Sequence, residues 1–273
     1  MLNATHGSAN TRQSLVCVEH FHKMYDRLAA VTDLSFRLEP GQILGLVGPN
    51  GAGKTTTMKA VSGMIPPTQG RLTIGEFDVT VDPVKAKRVL SYIPDDPQLF
   101  SELSVAEHLA FTASVYQVAN AEEQAAHLLR EFELFDKRET AARDLSRGMR
   151  QKLAICCAYL HNPAVLLFDE PLTGLDPHGI RKVKQTIRER AAEGAGIVIS
   201  SHLLGVVEDI CTHLLILESG RNRFHGTLDE LKRRYSEQGE VNLEEIFFFE
   251  TSIVEMRQAA AEAEQPLPVQ RVL

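Results

Sequence analysis

The chain has 273 residues, 44% of them hydrophobic, and a formal charge of −7. That length suits one principal domain with a packed core, and the acidic balance argues against a nucleic-acid partner recognised through a general basic field. No window approaches the roughly 18 continuous apolar residues of a membrane span, and the opening "MLNATHGSANTRQSL" lacks the order of a secretory signal, so a soluble, cytoplasmic chain is expected.

Residues 1–14, rich in Asn, Thr, Ser and Gly, read as a flexible leader, with order expected from Leu15. "LVCVEHF", "TDLSFRL" and "QILGLVG" read as short strands, the last ending at a glycine-rich turn from which a helix starts near Lys54. "GRLTIGEFDV" returns to strand and turn, and Pro83 to Leu90 fits a short helix before the strand that ends at Pro94. Two helical patterns follow, Ser104 to Val118 and Ala121 to Phe135, which with a helix from Ser146 to Leu160 make a helical subdomain over about 96–160. The chain then alternates: strand "AVLLFD", a helix from His178, strand "GIVIS", a helix after His202 and strand "HLLILES". Such alternation predicts an α/β fold with a mostly parallel sheet. The cysteines Cys17, Cys156, Cys157 and Cys211 lack metal-ligand spacing and are expected as free thiols, and His20 and His22 lack the further ligand a metal needs. Residues 236–273 form a C-terminal extension, expected to be partly disordered.

"GPNGAGKTT" carries the first chemistry. Its glycines let backbone N–H groups converge on phosphates, and the helix that follows adds partial positive charge at its start. Gly48, Pro49, Asn50, Gly51, Ala52, Gly53, Lys54, Thr55 and Thr56 are thus the candidate phosphate cradle, with Lys54 reaching the β- and γ-phosphates and the Thr55 hydroxyl a ligand for Mg²⁺. "AVLLFDEP" is a buried strand that delivers two acids to its carboxyl end, where open α/β sheets bind ligands. Asp169 would hold Mg²⁺, and Glu170 stands where a general base would polarise the attacking water.

"LSRGMRQKL" (145–153), standing before that strand, resembles the signature motif of the ATP-binding cassette (ABC) ATPases. "LTGLDP" resembles the family's D-loop, with Asp176 in the acidic place, and "VISSHLL" sets His202 at its switch histidine. "KMYDRLAAVTDLSF" resembles the segment that brings an aromatic ring to adenine, which makes Tyr25 the stacking candidate. The likeness runs from Leu15 to Leu231. It implies a phosphate-loop ATPase core with a mostly parallel sheet, an N-terminal antiparallel β region and a helical subdomain. It also implies ATP and Mg²⁺ as ligands, and a homodimer or heterodimer of ATP-binding subunits in which Ser146 and Gly148 reach the γ-phosphate of the partner's nucleotide. With one cassette and no membrane span, the translocating part is expected to be a separate transmembrane permease. "SRGMRQKL", "YIPDDPQLFSELSVAEHL", "GTLDELKRRY" and "NLEEIFFFE" are most similar to bacterial exporter-type cassettes, peripheral on the inner face of the cell membrane.

The chain departs from the family pattern at three places. Asp95, in "SYIPDDPQLF", stands where the family usually has a glutamine, and as a shorter, charged group it would hold Mg²⁺ through a water. Arg147 replaces the usual first glycine of the signature, and Met149 its last polar residue. Two rival readings are a soluble ABC protein acting on ribosomes or DNA, for which a second cassette or a long coiled-coil insertion before Asp169 is missing, and a degenerate cassette that binds ATP without turnover. Ser146, Gly148, Glu170 and His202 all speak against the second.

Overall fold

The structure, a computed structural model, describes residues 14–235 and 243–247. The leader expected over 1–14 and the extension expected over 236–273 therefore lie outside the described residues, except for Ser14 and a helical turn at 243–247 whose Leu243 and Ile246 are buried. β1 (Val16–Tyr25) and β2 (Leu28–Leu38) form an antiparallel hairpin, and β3 (Ile43–Val47) runs into the glycine-rich turn and α1 (Lys54–Val61). β4 (Gln69–Ile74) returns to β1 and carries β5 (Phe77–Asp78), so the first sheet is antiparallel with order β2-β1-β4-β5. After α2 (Pro83–Arg88) and β6 (Leu90–Ile93) the chain leaves for a helical arm of α3 (Val105–Tyr116), α4 (Ala121–Glu131) and α5 (Arg147–Leu160). It returns as β7 (Val165–Asp169), α6 (Pro177–Ala192), β8 (Gly196–Ser200), α7 (Leu204–Ile210), β9 (His213–Glu218), β10 (Arg221–Thr227) and α8 (Leu228–Tyr235). The second sheet has the order β10-β9-β3-β8-β7-β6, and all its neighbours are parallel except β9 and β10.

Every residue of β3, β7 and β8 is buried because this sheet is covered on both faces. Strand alternation splits its side chains between two cores. Leu44, Leu46, Val165, Leu167, Val198, Leu215 and Leu217 pack toward α1 and the antiparallel sheet, whose Phe21, Leu34 and Leu72 meet them. Leu166, Phe168, Ile197, Ile199, Leu214 and Ile216 point the other way, against α5, α6 and α7. The result is the expected α/β architecture, with strand ends and following loops gathered along one edge of the parallel sheet.

Local signals account for two of the helix ends in the arm. Ser104 and Glu107 close a reciprocal capping box at the start of α3, with bonds of 3.2 and 2.7 Å. The helix expected to reach Phe135 stops at Glu131, because Glu133 turns left-handed (φ +60°) and the Leu134 N–H closes on the Leu129 carbonyl at 2.7 Å, a Schellman ending with buried Leu134 as its apolar contact. β10 was absent from the sequence-based expectation. It is reached through a two-residue hairpin in which Ser219 and Gly220 both take positive φ, 47° and 73°. All four cysteines are free. Among the described residues no helix is long and apolar enough to cross a membrane.

Candidate active site

The turn after β3 is held by close backbone approaches. A Cβ on Gly48 would stand 2.2 Å from the Leu217 carbonyl, and one on Gly53, whose φ is +102°, would stand 2.8 Å from the Ala30 carbonyl. Only glycine lets β2, β9 and the turn nest this tightly. Gly53 also brings no side-chain cap to the first-turn N–H donors of α1. The Lys54 ammonium folds back across the turn, donating to the Gly48 carbonyl at 2.7 Å and the Pro49 carbonyl at 3.1 Å. Burial draws its pKa below the ordinary lysine value, while the Glu170 and Asp169 carboxylates pull it back up. Pro49, Asn50, Gly51 and Thr55 are exposed, Thr56 is half-buried, and Ala52 is buried under the turn.

The end of β7 supplies the acids. Asp169 is 4% exposed, and both its oxygens accept from hydroxyls: Oδ1 from Ser200 at 2.5 Å and Oδ2 from Tyr92 at 3.1 Å. Two hydroxyl donors satisfy this buried side chain without a fixed cation beside it. The Tyr92 phenol is pushed well above its ordinary pKa, chiefly by burial and then by the Asp169 charge, so it stays a donor. Glu170 takes a left-handed backbone, φ +52°, and its N–H donates to Ser200 at the carbonyl (3.1 Å) and at Oγ (3.2 Å). This turns its carboxylate out of the strand toward His202, whose Nδ1–H donates to Oε2 at 2.8 Å. With Nδ1–H committed, Nε2 is the ring nitrogen that faces outward.

Thr55, Asp95, Asp169 and Glu170 line one cavity of about 880 Å³ between the core and the helical arm. Tyr25 is not among the residues that line that cavity. It pairs across the hairpin with Leu28, two residues before Ala30, whose carbonyl stands against Gly53; the residue is 44% exposed, with Lys23 Nζ at 5.1 Å from the ring centroid. Ser146, Gly148 and Asp176 are not among the lining residues. Ser146 caps α5 by accepting from the Met149 N–H at 3.2 Å, and Asp176 caps α6 by accepting from the Gly179 N–H at 3.3 Å. A Cβ on Gly148 would stand 2.8 Å from the Gly174 carbonyl, so the start of α5 rests on the loop that leaves Glu170. Asp95, expected to hold a metal through water, has its carboxylate engaged by Arg147 at 3.1 Å.

Sequence reasoning missed Tyr92 and Ser200. Both point into the site from parallel strands beside β7, in register with Leu167 and Asp169. A hydroxyl in the otherwise apolar "GIVIS" was the one available signal for Ser200.

Comparison with known proteins identifies the family. The family described as ABC transporter matches residues 31–173. The chain is 36% identical over 224 residues to the ABC-type transporter ATP-binding protein EcsA of Bacillus subtilis, covering 81% of this chain and 91% of that protein. It is 33% identical over 214 residues to the lipopolysaccharide export system ATP-binding protein LptB of Escherichia coli, covering 77% and 89%. A solved structure of the ATP binding subunit of an ABC transporter superposes with a TM-score of 0.83 at 35% identity, covering 87% of this chain and 99% of that one.

Proposed function

The chain belongs to the ABC transporter family as an ATP-binding subunit with ATPase activity, and from that premise we propose how its residues divide the work. Lys54 leaves the carbonyls of Gly48 and Pro49 for the β- and γ-phosphates, while the first-turn N–H groups of α1 receive phosphate oxygens. The exposed face of Tyr25 takes the adenine ring. Glu170 accepts the proton of the attacking water, and His202 holds that carboxylate through Nδ1–H while Nε2 faces the γ-phosphate. The observation that carries this reading is the Glu170–His202 pair set beside a buried, doubly hydrogen-bonded Asp169 and a half-buried Lys54.

Mg²⁺ fits the donors present. The Thr55 hydroxyl and the Asp169 carboxylate are hard oxygen ligands on one cavity, and too few for a closed protein cage, since no cluster of three or more ligating His, Cys, Asp or Glu exists among the described residues. When bound, the ion would neutralise charge on the transferring phosphoryl group. Ser146 and Gly148 sit at an exposed helix start suited to the γ-phosphate of a second ATP-binding subunit, of the same or another kind, with Asp176 at the same interface.

The partner beyond that dimer is a separate membrane permease, which places the subunit on the cytoplasmic face of the membrane. Support comes from the exposed aromatic patch of the helical arm, where Phe100 and Phe111 meet edge to face at 5.4 Å and are 57% and 50% exposed, with Val115 at 56%. Export is the direction we favour, from the likeness to LptB and to exporter-type cassettes. Light scattering tests the core of the reading: ATP with Mg²⁺ should double the mass of a Glu170→Gln chain and leave a Lys54→Ala chain unchanged. A Glu170→Gln chain that stays single at saturating ATP would overturn the homodimer. Phe111→Glu should abolish co-purification with the permease from solubilised membranes.

A further inference from the structure

Two of the three positions at which this chain leaves the family pattern touch each other. The Arg147 guanidinium donates through Nη2 to Asp95 Oδ1 at 3.1 Å, across 52 residues of sequence. Both side chains are about half exposed, so the pair adds little to folding stability. Its position is what matters. Arg147 is the first residue of α5, directly after Ser146, and Asp95 follows β6 on the wall of the cavity that holds Thr55, Asp169 and Glu170. The stem of Arg147 lies flat over a third segment: its Cγ, Cδ and Nε are 3.1 to 3.3 Å from where a Cβ on Gly174 would stand, and Gly174 itself has φ +79°. Gly174 lies in the loop between Glu170 and the Asp176 cap of α6.

We propose that Arg147 is a positioning residue that ties the loop at Asp95 and the loop at Gly174 to the start of α5, and that Asp95 serves as its anchor rather than as a metal ligand. A flexible stem over a bare glycine and a planar head on a carboxylate fix α5 at two points, which one contact alone would not. Opening or closing of the cleft at Asp95 then moves Ser146 and Gly148 with it. The pair acts through geometry on groups that touch ATP, so it rests on the ATPase reading given above.

The test is a double-mutant cycle on the full chain, with kcat, the KM for ATP and the half-saturating Mg²⁺ concentration each measured. Arg147→Ala and Asp95→Asn should each lower kcat by about two- to fivefold, the range open to a half-exposed ion pair, with KM and the Mg²⁺ requirement unchanged. The double variant should be no slower than either single one, and Arg147→Lys should retain most of the wild-type rate. Without nucleotide, amide exchange over residues 95–99 should quicken in Arg147→Ala. Additive losses in the double variant would overturn the pair, as would a raised Mg²⁺ requirement in Asp95→Asn with Arg147→Ala unaffected. A wild-type chain without ATP turnover would instead defeat the parent reading.

Discussion

Replacing Glu170 by Gln separates chemistry from binding. The amide keeps the size of the side chain and an oxygen that can still accept the His202 Nδ1–H bond, which spans 2.8 Å in the wild type. It removes the proton acceptor and one negative charge. Loss of a positioned general base costs about 10²–10⁴-fold in rate, which is about 2.7–5.4 kcal/mol of transition-state stabilisation. Binding should not follow that loss. Glu170 and Asp169 are the two carboxylates that act on Lys54, and with Glu170 neutral the phosphates of ATP meet less repulsion. Affinity for ATP should therefore be unchanged or tighter. Phosphate release followed continuously gives kcat, and titration with a fluorescent ATP analogue gives affinity. Turnover within about tenfold of wild type would refute the role of general base. Equal losses in turnover and affinity would show that Glu170 serves binding instead.

Three further outcomes follow from the geometry. Tyr25→Ala should weaken ATP binding by about 1–3 kcal/mol, the worth of one base on an aromatic face, while Tyr25→Phe should cost much less; equal affinities for all three chains would move the adenine elsewhere. Gly45→Ala would place a Cβ 2.7 Å from Val207 Cγ1, 2.9 Å from Leu214 Cδ2 and 3.0 Å from Cys211 Sγ, and should lower stability to chemical denaturation by about 1–3 kcal/mol; an unchanged midpoint would contradict the packing of α7 on β3. His161, stacked on Tyr116 at 3.7 Å with its Nδ1 buried and unpartnered, and His225 both have pKa values lowered from 6.5, first by burial. The unfolded chain then binds more protons than the folded one below that value, so stability should fall as pH drops from about 7 to 5, and His161→Phe should flatten the slope. A thermal midpoint independent of pH across that window would count against the lowered imidazole pKa values.

What could be read from the sequence tracks how local each determinant is. The run "AVLLFD" announced a buried strand with acids at its end, since the four apolar residues Val165 to Phe168 need cover on both faces, and the structure covers them with two cores. The turn at Gly48 to Thr56 was equally plain, because its glycines answer to backbone approaches that any side chain would block. The end of α4 was misjudged although its cause is local: a left-handed Glu133 carries no such signal as glycine would, and the apolar pattern runs on through Leu134 into Phe135. The roles of the Tyr92 and Ser200 hydroxyls were harder to read, because they depend on which strands flank β7 and in which register, and β6 meets β7 only across the whole helical arm. Asp95 likewise has a partner that only the fold brings to it. Read alone beside a nucleotide loop, a carboxylate in place of a glutamine points toward a metal. Read beside Arg147, it is one half of a charge pair whose members each break the family pattern alone and satisfy each other's charge together.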